Sequence, residues 1–178
     1  MKVAIDEAGP ADAEVLRSLW QLHLHDRSDV DGADLDDRGH FVDPGLNRVG
    51  PGSGRLAYLI RVEGRPAGFA LVDRQGVLAE GGGGHAIARF FVVRKHRRRG
   101  VGGRAAAEVL RRHPGRWEVR QAAGDVAARS FWRGVIDRCA AGQFEESALD
   151  DRRWWGWVQT FAIEAGGGSR EDRAPAGQ

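Results

Sequence analysis

The chain is 178 residues long, 42% hydrophobic and 29% charged. That is one domain's worth of sequence with enough apolar material for a packed core, which excludes a wholly disordered chain. No stretch reaches the ~20 apolar residues of a membrane helix, and the single cysteine, Cys139, excludes an intrachain disulfide and a cysteine-built zinc cage. The formal net charge is only +2, but it is unevenly spread. Asp26, Asp29, Asp31, Asp34, Asp36 and Asp37 crowd one segment, and Arg94, Lys95, Arg97, Arg98 and Arg99 crowd another.

In chain order, Val3–Glu7 reads as a short strand. Gly9-Pro10-Ala11-Asp12 then starts a helix, with proline in the first turn and carboxylates near its positive end. Val15, Leu16, Leu19, Trp20 and Leu22 recur at helical spacing and set an apolar face that runs to about Leu24. From Asp26 to Gly54 the aspartates, glycines and prolines break every period, which predicts a long loop. Leu56–Val62 and Ala67–Val72 form a hairpin about Glu63-Gly64-Arg65-Pro66. Gly81–Gly84 is a linker, and Ala86–Val93 is the most strand-like run in the chain.

A helix is expected from Gly100 to Arg112, a strand over Trp117–Gln121, a helix from Asp125 to about Ile136, and a last strand over Trp154–Ile163. Residues 1–164 are read as a single domain and 165–178, opened by a run of glycines, as a disordered tail. Metal ligation is not expected. Residues two apart on a helix stand about 200° apart, so His23 and His25 do not make a shared face with Asp26, and Asp34 and His40 fall where a calcium loop starting at Asp29 needs glycine and glutamate.

The informative segment is Phe90-Phe91-Val92-Val93-Arg94-Lys95-His96-Arg97-Arg98-Arg99-Gly100-Val101-Gly102-Gly103, set between the strongest strand and an alanine-rich helix. Glycines admit a ligand close to the backbone, and the N–H groups of a helix start, with its dipole, favour an anion there. The run is neither the dinucleotide fingerprint nor the nucleoside-triphosphate loop.

Arg97-Arg98-Arg99-Gly100-Val101-Gly102 resembles the acetyl-coenzyme A signature R/Q-x-x-G-x-G/A of the GCN5-related N-acetyltransferase (GNAT) family. Asp125-Val126-Ala127-Ala128 followed by Phe131-Trp132 is similar to that family's N-x-x-A helix start and aromatic pair. The resemblance implies a mixed α/β domain with a twisted, mostly antiparallel sheet splayed between strands 4 and 5. It implies a bulge near Val92 and Val93, with Phe91, Val92 and Val93 exposing backbone to the pantetheine arm and thioester. The pyrophosphate would lie on backbone N–H groups from Arg98 through Gly103, Val101 included, with arginine side chains on other phosphate oxygens and Gly100 and Gly102 giving close approach. Asp125, Ala128, Phe131 and Trp132 would complete the coenzyme site.

The implied activity is acetyl transfer from acetyl-coenzyme A to a primary amine, read as that of a small molecule with a protein terminus or lysine left open. The sequence is further expected to be that of a cytoplasmic monomer or homodimer without membrane or nucleic-acid partners. The proton-transfer positions depart from the family pattern. Trp132 stands where a tyrosine acid is common, and an indole is no acid at neutral pH. Arg89 stands where a glutamate base is common, and arginine is no base. The only tyrosine, Tyr58, is the substitute acid. Simple strand alternation puts His85, Ile87, Arg89 and Phe91 on one face, which makes His85 the candidate base and Arg89 a substrate contact. Asp26 is the candidate attractor of a cationic amine. Two other classes compete: a non-catalytic acyl-coenzyme A sensor, and a nucleic-acid module using Arg94–Arg99.

Overall fold

A computed structural model describes residues 1–42, 45–46, 49, 54–76, 78, 83–152 and 154–165. Strand β1 (Val3–Glu7) leads through a 3-10 turn at Pro10–Asp12 into helix α1 (Ala13–Asp31). The Asp12 carboxylate accepts the Gly9 N–H at 3.1 Å there, closing the turn. Strands β2 (Arg55–Val62) and β3 (Arg65–Asp73) form the expected hairpin. Its turn residues Glu63 and Gly64 both have positive φ, 49° and 76°, the backbone that a two-residue turn of this hand requires. Then follow β4 (His85–Val92), a 3-10 turn (Arg94–His96), α2 (Val101–Arg112), β5 (Gly115–Ala122), α3 (Val126–Cys139), β6 (Phe144–Asp150) and β7 (Trp155–Ile163).

Among the described residues seven strands make one sheet in the order β1-β2-β3-β4-β5-β7-β6. Each neighbouring pair is antiparallel except β4 and β5, which run parallel. Parallel neighbours need a crossover, and α2 is that crossover. Period-2 alternation on the central strands divides the core between the two faces. Tyr58, Ile60, Val72, Ile87, Trp117 and Val119 pack with Val101, Ala105, Val109, Trp132 and Ile136 from α2 and α3. On the other face Leu59, Phe69, Leu71 and Phe91 pack under Leu16, Leu19, Trp20 and Leu24 of α1.

Three expectations need correction. Helix α1 continues through the first aspartates to Asp31, so Asp26 is helical. Its end is set by Gly32, at φ 66°, whose N–H returns to the Ser28 carbonyl. The buried stripe of α1 uses His23, which is 7% exposed, whereas Leu22 faces solvent at 52%. Strand β6, in a segment to which the sequence assigned no element, pairs with β7 along its whole length. Gly81 and Gly82 of the expected linker, and the expected tail beyond Ala165, lie outside the described residues.

Candidate functional site

Strands β4 and β5 touch over a short ladder only, His85 with Trp117, Ala86 with Glu118 and Ile87 with Val119. Past that point β4 continues against β3 as far as Val92, while β5 continues against β7 as far as Ala122. A gap therefore opens toward the carboxyl ends of the two strands. The irregularity that accompanies it is not at Val92–Val93. Leu71 faces Arg89 and Val72 faces Ile87, so the extra residue is Ala88. An extra residue reverses the side-chain phase beyond it. Ile87, Phe90 and Val92 join the α2–α3 core, and Ala88 and Phe91 join the α1 core.

Arg89 and His85 therefore do not share a face, contrary to the alternation argument. Arg89 is exposed and donates to the neighbouring Ala88 carbonyl at 2.7 Å.

Because β4 and β5 are parallel, α2 and α3 both begin at the open end of the gap. The start of α2 is shaped by positive φ at Arg98 (57°) and Gly100 (77°). Its helical bonding begins with the Arg104 N–H on the Gly100 carbonyl at 3.1 Å, which leaves the amides of Val101, Gly102 and Gly103 directed out of the helix start. Gly102 serves a second purpose, since a Cβ there would stand 3.3 Å from Phe131 Cε2. Its glycine lets α2 close on α3. Phe90, Phe131 and Trp132 form an aromatic wall beneath these starts, with ring centroids 5.1–5.7 Å apart. Asp125 caps α3, accepting the Ala128 N–H at 2.9 Å.

The arginines divide into two sets. Arg97 donates to the Val92 carbonyl at 2.6 Å, lies over the Phe91 ring and pairs with Asp26. Its side chain thus points to the α1 face and not to the helix start. Arg94 Nε joins it on Asp26 at 2.9 Å. Burial pushes the Asp26 carboxyl up, but the hydrogen bonds and charges of Arg97 and Arg94 outweigh it and hold the group below its usual value. Asp26 is therefore an anchor for the basic loop and does not stand open to an amine. Arg98 and Arg99 are exposed at the mouth. A groove of about 770 Å³ runs from Gly100 along α2 past Gly103, Arg104, Arg111 and Arg138.

The two proton-transfer candidates come together through a residue the sequence did not single out. The Tyr58 hydroxyl lies 2.6 Å from His113 Nε2, and the His113 ring lies 4.9 Å from that of His85. His85 also packs on Trp117 at 5.1 Å, whose Nε1 donates to the His113 carbonyl at 2.8 Å. Burial lowers both histidines below their ordinary value and raises the Tyr58 phenol. The cluster stands on the closed side of the ladder, about 7 Å along the strand from the Ile87 vertex. There His85 lines a cavity of about 410 Å³ with Trp117, Glu118 and Phe161. His113 had a faint signal: it closes α2 just before Pro114-Gly115, but only the fold brings it to Tyr58.

Comparison with known proteins agrees with this geometry. The model described as "Acetyltransferase (GNAT) family" matches residues 16–135. A search of curated protein sequences returned no match. Among solved structures, the ribosomal-protein-S18-alanine N-acetyltransferase of Escherichia coli is 12% identical, with TM-score 0.57 over 97% of this chain and 100% of that one. The ribosomal-protein-alanine N-acetyltransferase of Brucella melitensis is 18% identical, with TM-score 0.56 over 90% and 99%. The PaiA N-acetyltransferase of Thermoplasma acidophilum, solved with coenzyme A, is 9% identical, with TM-score 0.59 over 92% and 100%. At these identities the likeness is one of fold.

Proposed function

The chain belongs to the GNAT acetyltransferase family, and from that premise we propose that it transfers an acetyl group from acetyl-coenzyme A to the primary amine of a small molecule. The observation that carries this reading is the gap past Ile87 and Val119, with the starts of α2 and α3 at its open end. A long, narrow donor with an anionic end fits such a shape. The amides of Val101, Gly102 and Gly103 and the side chains of Arg98 and Arg99 would hold the pyrophosphate. The unpaired edges of β4 and β5, with Phe90, Phe131 and Trp132, would line the arm. Held this way, the thioester and the amine meet in fixed geometry, and orientation by itself supplies much of the acceleration in such reactions.

The amine must shed a proton before it attacks. Tyr58, 2% exposed and already bonded to His113, is better suited to fix the His113 ring than to donate to a leaving thiolate. His85, whose pKa burial lowers, stands about 7 Å along the strand from the vertex and is the group we assign to take the amine's proton through one bridging water. His85→Ala is expected to lower turnover about 100-fold near pH 7 and much less near pH 9, where more amine is already neutral. A small loss that is uniform across pH would remove His85 from that role.

The reading as a whole is tested by thermal unfolding of the chain with coenzyme A, with ADP and heparin as anionic controls. A ligand bound only by the native state raises Tm through linkage. The expected outcome is a coenzyme A shift well above that of either control. Equal shifts with heparin would instead make the arginine loop a polyanion patch, as a nucleic-acid module requires. Incubation of the acetylated donor with a panel of small amines then separates an enzyme from a sensor, which binds the donor without consuming it.

A further inference from the structure

Beneath α3 lies a line of polar side chains that the coenzyme reading above does not use. Glu146 on β6 is clamped by two arginines of α3. Arg129 donates through Nε at 3.1 Å and through a second guanidinium nitrogen, and Arg133 donates at 2.9 and 2.7 Å. The Glu146 side chain is 9% exposed. Arg129 foremost holds its carboxyl down, to about 2, so at neutral pH it only accepts hydrogen bonds. Gln159 on β7, fully buried, donates its Nε2 to Glu146 at 2.8 Å. Gln121 on β5, 3% exposed, donates its own Nε2 to Gln159 Oε1 at 3.2 Å.

The direction of this line is fixed. Turning over Gln159 would set its oxygen against a carboxylate, and turning over Gln121 would set oxygen against oxygen. The clamped carboxylate therefore orients both amides, and the last acceptor, Gln121 Oε1, ends the line buried with no hydrogen-bond partner among the described residues. A buried carbonyl left so is costly unless something arrives to donate to it.

Its position says what arrives. Gln121 follows Trp117 and Val119 on the α3 face of β5, two residues past the last β4–β5 pair. Its nitrogen is committed to Gln159 on β7, which leaves its oxygen for a donor from elsewhere, and at this level β4 no longer pairs with β5. The Arg129 and Arg133 guanidiniums behind the line make this a poor place for an ammonium group and a suitable one for a neutral N–H donor.

We propose that Gln121 Oε1 accepts a hydrogen bond from an amide N–H of the donor's pantetheine arm, with Gln159 and Glu146 as the positioning residues that aim it. This rests on the coenzyme reading above. The test is calorimetric titration of the full chain and of Gln121→Leu with two probes: coenzyme A, and ADP, which has a pyrophosphate and no arm. The expected result is about 5-fold weaker coenzyme A binding, the equivalent of one neutral hydrogen bond, with ADP affinity unchanged.

Equal losses for both probes would mark Gln121 as merely structural and overturn the proposal. So would unchanged coenzyme A affinity, with or without a rise in KM for the amine. If the wild-type chain binds no coenzyme A, the coenzyme reading falls and takes this inference with it. Wild-type binding with an indifferent Gln121→Leu sinks the inference alone. Should Gln121→Leu fail to fold, Glu146→Gln keeps the acceptor and frees its direction. It should weaken coenzyme A about 2-fold and leave ADP alone, and equal behaviour with the two probes would overturn the aiming role.

Discussion

Gly156 sits at φ 145°, where β7 runs against β5, and a Cβ there would land on the Gln121 carbonyl and come within 2.9 Å of the Ala123 nitrogen. Both obstacles are backbone, so neither can step aside. Gly156→Ala is expected to cost about 3 kcal/mol, seen as a Tm roughly 10 °C lower. Gly134 gives the opposite sign from the same substitution. It lies inside α3 with ordinary helical backbone, and its nearest obstacle is the far end of the Arg138 side chain at 3.5 Å. Gly134→Ala should therefore stabilise by about 0.5–1 kcal/mol, since alanine loses less backbone freedom in a helix. Denaturant unfolding of the two variants checks the pair, and a matched sign would show that the packing at one of the positions has been misjudged.

At the scale of elements, what could be read from the chain was whatever depends on local pattern. The hairpin, the strand before the basic loop and the helix after it announce themselves by apolar period, glycine and capping chemistry. Three features escaped, two of them because their causes are distant in sequence. Helix α1 runs on through Asp26, whose carboxylate pairs with Arg94 and Arg97 far along the chain, to its local stop at Gly32, which the acidic composition of the segment masked. Strand β6 carries Glu145, Glu146 and Asp150 and lies at the sheet edge, so its only strand signal is its pairing with β7. The bulge at Ala88 is a matter of register between β3 and β4, and it alone undoes the expected face-sharing of His85 and Arg89.

The α1 anchor also makes a prediction. Adjacent residues of α1 hold the two lips of the gap, Asp26 on the basic loop and Arg27 within 4.0 Å of the α3 cap Asp125. Asp26→Asn should lower stability by on the order of 1 kcal/mol. It should also release positive charge toward the mouth, tightening coenzyme A binding several-fold at low salt and less at high salt. Calorimetry at two ionic strengths reads both effects. Weaker binding at low salt would mean that the anchor shapes the cradle more than it screens it.

At the scale of the whole molecule, the sheet is two antiparallel blocks, β1 to β4 and β5 to β6, joined edge to edge by the three-pair ladder at Ile87–Val119 and by the packing of α2 on α3. A ligand in the gap touches both blocks, whereas ligand-free the flanking backbone of residues 88–92 and 120–122 has one strand neighbour on one side only. Amides that lack a ladder partner open at low cost, so the gap is where exchange with solvent should respond to binding. Hydrogen exchange with and without coenzyme A is expected to slow at those segments and at Val101–Gly103. Amides of the β2–β3 hairpin, paired on both sides by β1 and β4, should slow little. Because the three-pair ladder is the only strand pairing between the blocks among the described residues, protection should stop at their facing edges. If protection instead spread evenly through both blocks, the gain would reflect global stabilisation, and the donor would have to be placed elsewhere than between β4 and β5.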